Sequence, residues 1–63
     1  MSVKQIQEAE AKTKKVREYL KGELVAQPFM VEETRNTLIG AINYCDAKLR
    51  ALTEMSTLSQ NPN

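Results

Sequence analysis

The groups able to move protons, attack a substrate or hold a metal are few in this chain. Its 63 residues include one cysteine, Cys45, and no histidine. A Ser–His–Asp or Cys–His arrangement cannot be assembled within it, nor can the usual zinc constellations. Carboxylates occur close together as Glu8 with Glu10 and as Glu32 with Glu33. None belongs to a Glu-x-x-His pattern. The two glycines, Gly22 and Gly40, lie far apart, so no glycine-rich phosphate loop is formed. Cys45 falls in an apolar row well inside a helical stretch, away from the N-terminal amides that would acidify a thiol. It is expected to act as a small buried hydrophobe. No catalytic, cofactor-binding or metal-ligating residue is assigned, and the expectation is a protein that is not an enzyme.

Binding chemistry is the remaining class. Nine basic and eight acidic residues leave a formal charge of +1, too balanced for a chain that works purely as a polycation on DNA. The basic excess lies in the first half, in Lys12, Lys14, Lys15, Arg17 and Lys21. Lys14, Arg17 and Lys21 share one side of a helix within about 60°. They make a candidate surface for an acidic protein partner. Phe29 and Met30 sit at the break between two helical stretches and are the second candidate partner-binding site. Phe29 there either plugs the end of the core or projects as a docking tip. Nucleic acid is a less favoured partner, because Tyr19, Phe29 and Tyr44 are not interleaved with the basic cluster.

The elements that must position these groups are helices. Ser2 and Gln5 have capping-box spacing. From Val3 to Val25 helix formers dominate, with Ile6, Ala9, Thr13, Val16 and Leu20 as the inward row. Glu8–Lys12 and Glu10–Lys14 have the spacing of supporting ion pairs. Pro28 interrupts the helix, and a short connection folds the chain back. A second helix follows, whose main row is Val31, Leu38, Ile42, Cys45, Leu49 and Leu52. The predicted architecture is all-α, an antiparallel two-helix hairpin with helices over 3–25 and 29–57, a turn at 26–28, and a disordered polar tail over 59–63.

Beside the main row of the second helix runs another. Tyr44, Ala51 and Met55, with Leu58, flank a line of small residues that includes Gly40 and Ala47. Two rows on one helix call for two neighbours. A single 63-residue chain buries little surface and here has no disulfide or zinc set to help, so association is the expected remedy. Gly40, Tyr44, Ala47, Ala51 and Met55 are the candidate oligomer interface, with two hairpins pairing as a homodimeric four-helix bundle. The expected function is non-catalytic protein binding, as a regulator, inhibitor or adaptor; a nucleic-acid-binding dimer or a subunit of a larger helical assembly are the alternatives. No apolar run reaches the roughly 18 residues of a membrane span, and a single unpaired cysteine suits a cytoplasmic location.

Overall fold

The computed structural model describes residues 2–60, with side-chain surroundings to 58. It has two helices, α1 (Val3–Ala26) and α2 (Glu32–Gln60), folded into an antiparallel hairpin. Ser2 caps α1 as its spacing predicts. Its hydroxyl accepts from the Gln5 N–H at 3.2 Å, and its own N–H donates to Gln5 Oε1 at 2.9 Å. The two bonds satisfy two of the amides that every helix start leaves unpaired.

The connection differs from expectation. Gln27 ends α1, leaving helical geometry at φ −120° and ψ 73° while its N–H still reaches the Glu23 carbonyl at 3.2 Å. The Met30 N–H then donates to the Gln27 carbonyl at 3.2 Å, closing a four-residue turn with Pro28 in its second position. Proline's fixed φ suits that position, and its missing N–H is not needed there. The expected start of the second helix at Phe29 therefore moves to Glu32. The Val31 carbonyl accepts from the Arg35 N–H at 3.0 Å to begin α2, and Arg35 Nη2 also donates to the Pro28 carbonyl at 3.3 Å. Glu32 and Glu33 occupy the first turn, where the helix dipole favours acids. At the other end α2 continues through Gln60, past the expected limit at Thr57. The rest of the expected tail, 61–63, lies outside the described residues.

Ile6, Cys45 and Leu52 are the buried apolar side chains among the described residues, and Thr13 is the buried polar one. Thr13 is satisfied locally, its hydroxyl donating to the Ala9 carbonyl at 2.8 Å. Leu20, Leu24, Leu38, Ile42 and Leu49 are half-buried along the same seam. Two expectations about the seam are corrected. Val16, placed in the inward row, is 51 % exposed, and Val31 is 66 % exposed just ahead of α2. Residues spaced by seven, namely Ile6, Thr13 and Leu20, define the contact line. Val16 stands roughly 60° to one side of Thr13. Arg17, about 40° to the other side, turns into the seam instead. The ion pairs foreseen for Glu8–Lys12 and Glu10–Lys14 are not formed; among the described residues both ion pairs belong to Arg17. Exposed pairs of this kind gain too little to hold two long side chains in place.

The hairpin is a rod of 51 × 14 × 13 Å. It exposes 5010 Å², against about 4,100 Å² for a compact monomer of its 7.1 kDa mass. Two helices lying side by side can cover one stripe each and no more. The excess surface is the direct result.

Candidate functional site

The two long sides of the seam differ. On one, Arg17 Nε donates to Asp46 Oδ1 at 2.5 Å, and Arg17 Nη1 lies 3.3 Å from Glu18 Oε1. This bridge joins α1 to α2 and closes that side. The other side is an open groove of about 270 Å³, lined by Val16 and Leu20 of α1, by Ala41, Tyr44 and Cys45 of α2, and by Lys12 and Lys48. The ring of Tyr44 stands on one wall at 67 % exposure, and Val16 forms part of the other. Cys45 closes the floor and is itself buried.

The residues expected at an oligomer interface lie on this open side of α2 and round its outer edge. Gly40, Tyr44, Ala47, Ala51 and Met55 are all exposed in the single hairpin. Within 4 Å of where a Cβ on Gly40 would sit there is no neighbour, so α1 does not approach α2 closely at this glycine; Gly22 is equally open. Val16 and Tyr19 extend the apolar side onto α1, which the sequence reading did not foresee. Their spacing of three, with Lys12 one turn before Val16, was visible. What was missing was the angle at which α1 meets α2.

The candidate partner-binding residues fall in two places. Lys14 and Lys21 are exposed on the side of α1 that also carries Arg17. Arg17 is half-buried, held by Asp46 across the seam, so its charge is spent within the hairpin. The structure therefore does not bring Lys14, Arg17 and Lys21 together as three free cations. Phe29 and Met30 lie in the turn. Phe29 is 96 % exposed, which overturns the reading of it as a core plug, while Met30 is half-buried. The turn geometry explains the difference: at its third position Phe29 projects away from both helices. With Val25 and Val31, also exposed, it forms an apolar tip.

Among the described residues no group of three or more His, Cys, Asp or Glu is placed to hold a metal ion, and no helix is long and apolar enough to cross a membrane. Side-chain chemistry at the groove comprises apolar contact, two ammonium groups, one phenol, the buried Cys45 thiol and the Thr13 hydroxyl, which is already bonded to the Ala9 carbonyl. No family model, curated protein or solved structure matches this chain.

Proposed function

We propose that the protein is a non-catalytic helical binding module that works as a homodimer, two hairpins joining as a four-helix bundle through the open side of α2. Its role is to regulate, inhibit or adapt another protein. The observation that carries this reading is the exposed area. The whole 63-residue chain exposes 5010 Å², roughly 900 Å² more than a compact monomer of its 7.1 kDa mass, an excess of the order of the about 800 Å² that each partner contributes to a standard interface. Of the exposed apolar side chains, Val16, Tyr19 and Tyr44, with Met55 further from the turn, lie along the open side, and Ile39 lies on the other. Burial of Val16, Tyr19 and Tyr44 would add hydrophobic area to that of the three buried apolar residues among those described.

The apolar tip of Phe29, Val25 and Val31 is suited to an apolar pocket on another protein, and it lies at the end of the rod, clear of the groove. Neutralisation of Arg17 by Asp46 weakens the case for a phosphate-binding face, since it leaves Lys14 and Lys21 without their third cation.

The test is Tyr44→Lys. Tyr44 is exposed in the hairpin, so the variant is expected to keep its helicity while its mass by sedimentation equilibrium drops at concentrations where the wild-type chain is a dimer. A variant that associates as the wild type does would remove the open side of α2 from the interface.

A further inference from the structure

Among the described residues, four charged side chains that line the groove or stand within about 20° of Val16 or Tyr44 make no ion pair: Lys12 and Glu23 on α1, and Glu33 and Lys48 on α2, with Glu23 Oε2 accepting from Gln27 Nε2 at 2.8 Å. Lys12 and Lys48 line the groove itself. Glu23 lies seven residues after Val16, and Glu33 eleven before Tyr44, so both share the groove's side. The carboxylates belong to the half of the rod nearer the turn and the ammonium groups to its middle. The open side is therefore charged unevenly along its length.

Resting on the homodimer reading above, we propose that the second copy lies across this side antiparallel, with the two turns pointing in opposite directions. Lys12 then faces Glu23 of the partner subunit, and Lys48 faces Glu33 of the partner subunit. A twofold axis perpendicular to the rod sets α1 against its own copy and α2 against its own copy. Each pair must then straddle that axis. The midpoint between Lys12 and Glu23 falls between Arg17 and Glu18. The midpoint between Lys48 and Glu33 falls between Gly40 and Ala41. Measured from the helix ends at Ala26 and Glu32, both midpoints lie about 13 Å from the turn at 1.5 Å per residue. They are level, so one axis serves both pairs, as an isologous interface requires. At that axis α2 presents Gly40 and Ala41, small enough for its copy to approach closely, while Val16 of α1 meets Tyr19 of the partner subunit. The opposite arrangement, turn beside turn, sets α1 against the copy's α2. It places Lys12 beside Lys48 and Glu23 beside Glu33, like against like.

The experiment is sedimentation equilibrium on the wild-type chain, Lys48→Glu, Glu33→Lys and the double variant carrying both. Circular dichroism confirms that each remains helical. In the antiparallel dimer each single reversal sets like charges together at two symmetric places, and the dissociation constant is expected to rise roughly tenfold. The double variant regains wild-type affinity. Tightening by Lys48→Glu alone would overturn the proposal in favour of turns side by side, since the new carboxylate would then face Lys12. Single variants that match the wild type, or a double variant that adds the two losses, would also overturn it. A wild-type chain that stays monomeric at every concentration would instead refute the homodimer itself. The offset also leaves Met55 beyond the overlap, so Met55→Lys is expected to preserve the dimer that Tyr44→Lys disrupts.

Discussion

At the scale of single residues, the bridge between Arg17 and Asp46 changes what the basic side of α1 means. Helical spacing places Arg17 with Lys14 and Lys21, and nothing local distinguishes the three. The distinction comes from Asp46, 29 residues further along the chain, and from which flank of α1 meets α2. Spacing along one helix holds neither fact, and so this part of the site was not legible in the sequence. Ile6, Cys45 and Leu52 were legible as members of their apolar rows. Ile6 and Val16 stand at opposite margins of one row, each about 40° from its centre, and spacing does not say which margin meets α2. The bridge is partly open to solvent on both sides, so its contribution is modest. Asp46→Ala is expected to cost at most about 1 kcal/mol in urea unfolding. Arg17→Glu, which sets two carboxylates together, is expected to cost more than Asp46→Ala. If Arg17→Glu left stability unchanged, the bridge would have no structural role.

At the scale of elements, helix existence and order followed from apolar rhythm, the Ser2 cap and the proline break. The start of α2 did not. Pro28 is acceptable both in the first turn of a helix and in the second position of a tight turn, and the sequence does not choose between them. The bond from the Met30 N–H to the Gln27 carbonyl makes the choice and carries Phe29 outward. Phe29→Ala is therefore expected to shift stability by less than about 0.5 kcal/mol, as for other exposed substitutions. A loss of several kcal/mol would return Phe29 to the core. Gly22 offers the complementary case within α1. Open space surrounds the site of its missing Cβ, so Gly22→Ala is expected to raise stability by about 0.5–1 kcal/mol, read as a higher urea midpoint. A loss would mean that another helix approaches the backbone there.

At the scale of the whole molecule, what matters is how little two helices can cover. Each presents one stripe to the other, and the remaining apolar side chains on the open side have no neighbour in a single hairpin. The second row on α2 was legible as a surplus of apolar and small residues. The participation of α1 in the same side, through Val16 and Tyr19, was not, because it depends on the seam's orientation. A rod with three buried apolar side chains among its described residues is a poor candidate for stability alone. Covering the open side with a second copy links folding to concentration. The most direct measurement is sedimentation equilibrium over a dilution series, with helicity followed by circular dichroism on the same samples. The expected result is twice the 7.1 kDa chain mass at high concentration, with mass and helix content falling together on dilution. A chain that remains fully helical at its monomer mass across the series would contradict the dimer and leave the groove beside Tyr44 open to a different partner.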